Sequence, residues 1–131
     1  MSKIIDVVKN LPELLSTGAA DCQSIENAEK ELGLKFAPEY KEYLKTFGSV
    51  LADDVEITGI AKSKARNVVV VTRREWELNP QVDHRMYVVE DLAIDGIIIW
   101  QDQKGNVYES APNKAVKKVA GSLADYIASQ K

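Results

Sequence analysis

One cysteine and one histidine, Cys22 and His84, stand in a chain of 131 residues. A lone cysteine forms no disulfide within the chain, which excludes a stapled secreted scaffold. Structural zinc takes four ligands drawn mostly from cysteine and histidine, so this pair cannot supply a zinc cluster. Nothing in the sequence brings Cys22 to His84 for a thiol–imidazole mechanism. Cys22 reads as a buried or bystander thiol in a small-residue loop, and His84 as a surface or strand-edge residue. The seven glycines are scattered singly, so neither G-x-G-x-x-G nor a P-loop occurs, and no G-x-S-x-G elbow exists. No apolar run approaches the ~18 residues needed to span a bilayer. The amino terminus carries Asp6 inside its apolar part and has no small-residue cleavage site, a poor signal peptide. The cytoplasm is the expected compartment, with no membrane partner.

Strong charge of one sign is also lacking. The net charge of −3 lacks the basic footprint of a nucleic-acid binder, so no direct nucleic-acid contact is expected. Arg73-Arg74 beside Trp76 forms a basic–aromatic interleave, read here as a strand end with a half-buried tryptophan. Asp53-Asp54, Glu90-Asp91, Asp95 and Asp102 offer oxygen ligands, but no twelve-residue calcium loop frames them. They read as exposed carboxylates at strand ends and turns. A carboxylate pair for acid–base work carries no weight among 20 acidic residues. No metal, cofactor or catalytic residue is expected, and a binding protein is favoured over an enzyme.

What is present is an ordinary globular composition, 45% hydrophobic and 28% charged. One domain over residues 1–131 is expected, burying roughly two-thirds of its unfolded surface. Ile4, Val8, Leu11 and Leu15 recur at helical spacing until Pro12 interrupts them. Ser24 is a candidate cap for a helix through Ile25, Ala28, Glu29 and Leu32 that stops at Gly33. Pro38 opens a helix that Gly48 closes. Its Tyr40, Tyr43, Leu44 and Phe47 fall on one stripe, and Glu39, Lys41, Glu42 and Lys45 balance in sign. The aromatics therefore belong in a core rather than on a membrane or phosphate backbone. Val55–Thr58 alternates as a half-buried strand, and four β-branched residues, Val68–Val71, suggest a central strand. Residues 75–83 read as a loop. Met86–Val89 and Ile97–Trp100 are strand-like, and the turn 102–105 returns the chain as Asn106–Glu109. Pro112 is the expected end of the sheet, and a last helix spans Ser122–Ser129. Helices, then strands, then a helix give an α+β fold. The expectation is a single antiparallel-rich sheet with helices packed against one face and helices at both termini.

Two stretches carry a resemblance. Ala28–Gly48 holds Ala28-Glu29, Leu32-Gly33, Phe36, Pro38, Tyr40, Tyr43-Leu44 and Gly48. Val89–Ser110 holds Asp95-Gly96, Trp100, Asp102, Gly105, Val107 and Tyr108. With the closing Ser122–Ile127, their order and spacing resemble the SUKH superfamily, the Smi/Knr-type domains, over about Ser24 to Ile127. Ser49 stands where the family has a second glycine, and Ile97-Ile98 where a Gly-Asp is common.

The resemblance implies an α+β domain of the bacterial immunity branch, which binds a cognate polymorphic toxin without catalysis, basic nucleases being among such toxins. Fungal relatives imply a regulatory interaction scaffold as the alternative. A small carboxylate-dependent enzyme is the third reading. Five acidic residues and one basic lie between Glu90 and Glu109, and five basic with no acidic between Lys62 and Arg74. That bias and the enrichment of aromatics at hot spots select Asp53, Asp54, Trp76, Glu90, Asp91, Asp95, Trp100 and Asp102 as the candidate partner surface. Trp100, in an Ile-rich strand, is equally a core candidate. Oligomeric state is not legible.

Overall fold

Helix α3, Pro38–Phe47, organises the interior. Proline begins it because a first-turn residue has no intrahelical use for its N–H. The Gly48 N–H closes it on the Leu44 carbonyl at 2.9 Å. The predicted stripe is realised, since Tyr40, Tyr43, Leu44 and Phe47 are all buried. The computed structural model describes residues 3–53 and 55–129. Around α3 pack α1 (Lys3–Lys9), α2 (Cys22–Leu32) and α5 (Leu123–Ser129), each giving one apolar face to a shared core.

The strands form two antiparallel sheets rather than the single sheet expected. The first joins β1 (Leu15–Ser16), β2 (Val50–Leu51) and β3 (Glu56–Ile57), with Leu15 opposite Leu51 and Leu51 opposite Glu56. The second joins β4 (Tyr87–Asp91), β5 (Ile98–Gln101), β6 (Val107–Ser110) and β7 (Lys117–Ala120) in chain order. Strands of two residues leave almost no period to detect. They exist because flanking elements hold them, as when the Thr58 N–H donates to the Val89 carbonyl at 2.9 Å.

Helices do not keep to one face. Tyr87, Val89, Ile99 and Val107 point into the main core. Val88, Ile98 and Trp100 point the other way, into a second cluster with Val71, Val82 and Met86. That cover comes from α4, Val68–Leu78. Its first turn is the run expected to be a central strand. β-branching lowers helix propensity by only a few tenths of a kcal/mol per residue. The Asn67 side chain outweighs it by accepting from the Val69 and Val70 N–H groups at 3.0 and 3.2 Å. Val68 and Val71 are then fully buried on the helix.

Other boundaries moved for equally local reasons. Residues 75–78, expected as loop, continue α4. Asp21, not Ser24, caps α2 by accepting the Ser24 N–H at 2.7 Å, which places Cys22 at an exposed first helical position. Leu15 leaves the helical stripe for β1 and is 66% exposed. Pro112 does not end the sheet, because β7 follows it. Helices do occupy both ends of the described chain.

Two glycines meet at the junction of the two sheets. A Cβ on Gly59 would fall on the carbonyl oxygen of Gly48. Gly33 has open space around it and only a left-handed φ of 70° to protect. Gly59→Ala should therefore lose more than about 3 kcal/mol of stability by displacing backbone, whereas Gly33→Ala should lose about 1 kcal/mol. Urea unfolding of both variants checks the contrast, and equal losses would contradict it.

Candidate interaction surface

One end of the molecule gathers its loops, and the hydrogen bonds trace it. The Asp53 N–H donates to the Pro12 carbonyl at 3.1 Å, joining the α1–β1 loop to the β2–β3 turn. The Glu56 N–H donates to Glu90 Oε2 at 3.2 Å, bringing β3 alongside β4. Asp91 pairs with Ile98 and Ile98 with Ser110, so the β4–β5 and β6–β7 loops leave the sheet on the same side. A Cβ on Gly96 would touch Pro112 Cγ at 2.8 Å.

Backbone strain concentrates there. Among the described residues the non-glycine residues at positive φ are Glu13, Ala93, Asp95 and Asn113, at 59°, 57°, 53° and 62°. All four lie in these loops. Asp95-Gly96 forms the corner of a tight turn closed by the Ile97 N–H on the Ile94 carbonyl at 3.0 Å. The Asp91 carboxylate accepts the Ala93 N–H at 2.8 Å. The turn thus holds Ile94 out in solvent, 59% exposed. Leu15 is the second exposed aliphatic of this end, beside a depression of about 480 Å³ lined by Glu13, Leu51 and Asp53. Among the described residues Glu13, Asp53 and Asp95 have no cation within 4.0 Å. Arg74 lies 3.4 Å from Asp91, and Lys117 lies 3.6 Å from Glu109.

The residues selected from the sequence divide sharply. Asp53, Asp91 and Asp95 meet at this end. Asp54 lies outside the described residues. Trp100 is fully buried and its Nε1 donates to Ser110 Oγ at 2.8 Å, a core role. Asp102 sits at the opposite end of β5. It shapes the β5–β6 turn by accepting the Lys104 and Asn106 N–H groups at 3.0 and 2.9 Å and the Tyr108 hydroxyl at 3.2 Å. Trp76 is half-buried on α4, not at a strand end. It stacks on exposed His84 with ring centroids 4.4 Å apart and donates its Nε1–H to the Met86 carbonyl. Cys22 is an exposed residue of α2, whereas the His84 ring packs on Trp76.

A family model, SUKH_5, described as SMI1-KNR4 cell-wall, matches residues 1–130. The chain belongs to this family. No curated protein matches it.

Residues of the stretch that carries the SUKH resemblance prove to be internal supports, the signature residue Glu29 and its non-signature neighbour Glu39 among them. Glu29, 5% exposed, accepts the Phe36 N–H at 2.8 Å and fixes the loop into α3. Glu39 accepts the Leu123 and Ala124 N–H groups at 2.7 and 3.0 Å, capping α5 from across the molecule. Among the described residues no group of three or more His, Cys, Asp or Glu side chains is placed to hold a metal ion. No described helix is long and apolar enough to cross a membrane. Sequence reasoning overlooked Glu13, Leu15 and Ile94. Ile94 carried a signal, because Asp-Gly directly after it marks a surface turn.

Glu90, the remaining candidate, is 5% exposed beneath the loop end. Its Oε1 accepts the Tyr126 hydroxyl at 2.7 Å. Burial raises its carboxyl above the ordinary glutamate value, against the two hydrogen bonds that lower it. The native chain therefore holds this proton more tightly than the unfolded chain. The resulting stabilisation is full below the unfolded carboxyl pKa and is lost as pH rises through the native one. Glu90→Gln removes that dependence. The melting temperature of the variant relative to the parent should climb as pH rises above the ordinary glutamate value of about 4.3. A difference that stays constant with pH would refute the assignment.

Proposed function

We propose that this SUKH domain is a cytoplasmic immunity-type protein that binds a cognate protein toxin and neutralises it stoichiometrically, without chemistry of its own. The observation that carries the reading is the loop end. At this end Glu13 and Asp53 flank exposed Leu15, and Asp95 follows exposed Ile94. Among the described residues none of the three carboxylates has a cation within 4.0 Å, and Glu13 and Asp95 sit on left-handed backbone. Such strain persists only when the surrounding structure enforces it, and it concentrates at binding and switch sites. A pre-shaped loop loses little entropy on binding, so more of its contact energy appears as affinity. Aliphatic anchors ringed by charge resemble the centre and rim of a protein interface.

The charge sign specifies the partner. Carboxylates without internal cations attract a basic surface and accelerate encounter with it, which fits a basic toxin such as a nuclease. An enzymatic reading rests on Glu90, the acidic residue whose affinity for its proton is raised. Its oxygens are already occupied by the Tyr126 hydroxyl and the Glu56 N–H, so it serves the fold.

Co-expression with the toxin-like product of the adjacent upstream gene should restore growth and yield a co-purifying complex. In that complex Asp53→Lys with Asp95→Asn should weaken binding about tenfold and flatten its salt dependence. Asparagine is chosen at 95 because it tolerates left-handed φ. Ile94→Ala should cost about 1–2 kcal/mol, mainly through faster dissociation. Affinity and salt dependence unchanged in all variants would place the contact elsewhere, and failure of every neighbouring toxin-like gene would remove the immunity reading.

A further inference from the structure

The four-stranded sheet has one covered edge and one open edge. On the β4 side, Thr58 occupies the backbone: its N–H donates to the Val89 carbonyl at 2.9 Å and its hydroxyl to the Val88 carbonyl at 2.7 Å. The Val88 N–H donates in turn to Thr72 Oγ1 at 3.0 Å. On the β7 side, strand Lys117–Ala120 pairs with β6 alone. Among the described residues no other element makes a backbone hydrogen bond to it. An antiparallel edge strand turns about half of its N–H and C=O groups outward, a template for a further strand.

The side chains along this edge are unusual for their openness. Lys117, Lys118 and Val119 are all exposed. A bulge opposite Val107 and Tyr108 pushes Val119 out of register and leaves it 38% exposed. At the strand's start, Lys114 and Lys117 line a cleft of about 370 Å³ whose other walls include Asp95, Glu109, Ala111 and Pro112, so the net positive charge of the edge lies with Lys118, beyond the cleft on the strand itself. Among the described residues, of these three lysines only Lys117 has a carboxylate partner, Glu109 at 3.6 Å.

Lysines on an edge keep arbitrary strands away. They repel a basic strand, and they repel a second copy of β7, which would set lysine against lysine. The same charges favour one occupant. A strand bearing carboxylates at alternate positions would relieve the repulsion while satisfying the free backbone groups. We propose that β7 accepts an extended acidic segment of a partner protein as a fifth, antiparallel strand. In this mode the main-chain hydrogen bonds supply affinity, and Lys117 and Lys118 supply the charge preference. The site adjoins the loop contact proposed above at the cleft that Asp95 shares with Lys114 and Lys117, but its charge is opposite and its binding groups are the β7 backbone, Lys117 and Lys118, so either can fail without the other.

The probe is a blocked hexapeptide alternating glutamate and valine, titrated into the isotopically labelled full chain at low salt. The amides of residues 117–120 should shift saturably, and their hydrogen exchange should slow. Replacing the central valine by proline removes a main-chain donor at unchanged charge and should weaken binding about tenfold. Lys117→Glu with Lys118→Glu should lose the acidic peptide and gain its lysine–valine counterpart. Saturation absent at millimolar peptide would overturn the proposal. So would equal binding of the proline peptide, which would mean charge attraction alone. Equal binding of a single-stranded oligonucleotide would point to a phosphate chain as ligand. Self-association that protects β7 without peptide would point to a second copy.

Discussion

Burying a phenol hydroxyl without a partner costs on the order of 1–3 kcal/mol, and this fold buries several. Tyr40, Tyr43 and Tyr87 are each fully inaccessible. The Tyr40 hydroxyl donates to the Thr58 carbonyl at 3.0 Å, and that of Tyr43 to the Ile57 carbonyl at 3.0 Å. Both partners lie on or beside β3, a strand of two residues with little stability of its own. The Tyr87 hydroxyl donates to Gln101 Oε1 at 2.8 Å and accepts the Ala37 N–H at 3.0 Å. Gln101 Nε2 donates to Glu39 Oε1 at 2.8 Å, and Glu39 caps α5. Together these hydrogen bonds tie α3 to both sheets and to the last helix. Among the described residues no buried side-chain nitrogen or oxygen lacks a partner. Burial drives all three phenols well above the ordinary tyrosine range, so they stay neutral donors.

This network explains what the signature does. Glu29, Glu39, Tyr40 and Tyr43 belong to the stretch that carries the family resemblance, and each spends its polar atoms inside the molecule. A residue whose hydrogen-bonding capacity is consumed by the fold has none left for a partner. In the immunity role proposed for the domain, recognition would fall to loops whose sequence the core does not dictate. The loop end meets that condition, since its carboxylates and aliphatics face solvent while Glu90 beneath them is sealed.

Legibility in the sequence follows the range of the interactions. Helix α3 was readable because its proline, glycine and stripe lie within eleven residues. The β5–β6 hairpin was readable because Asp102 and Gly105 act within one turn. The Val68–Val71 run was misread because propensity was weighed and Asn67, one residue upstream, was not. β7 was missed for a different reason. A strand exposed on both faces and one edge has no buried side to impose a period of two. The pairing of Glu39 with α5 spans more than eighty residues, and no local pattern encodes it. At the surface, charge counting found Asp53, Asp91 and Asp95. It could not tell them from Glu90 and Asp102, because sequence does not show which carboxylates the backbone has already claimed.

That distinction also governs how charge acts on a partner. At physiological ionic strength the screening length is about 8 Å, so the net charge of −3 says little about any one contact. A carboxylate that already holds an arginine, as Asp91 holds Arg74, presents a dipole, and its field falls off faster than that of a free charge. Among the described residues Asp53 and Asp95 have no cation partner and Lys114 and Lys118 no carboxylate partner, so they keep their full field. Asp95 and Lys114 line one cleft at the loop end, whereas Lys118 stands opposite Tyr108 within the sheet. A surface that carries free charges of both signs a short distance apart orients an approaching molecule as well as attracting it. Orientation before contact matters most for a rigid, strained loop, which cannot adjust to a misaligned partner by changing its own shape.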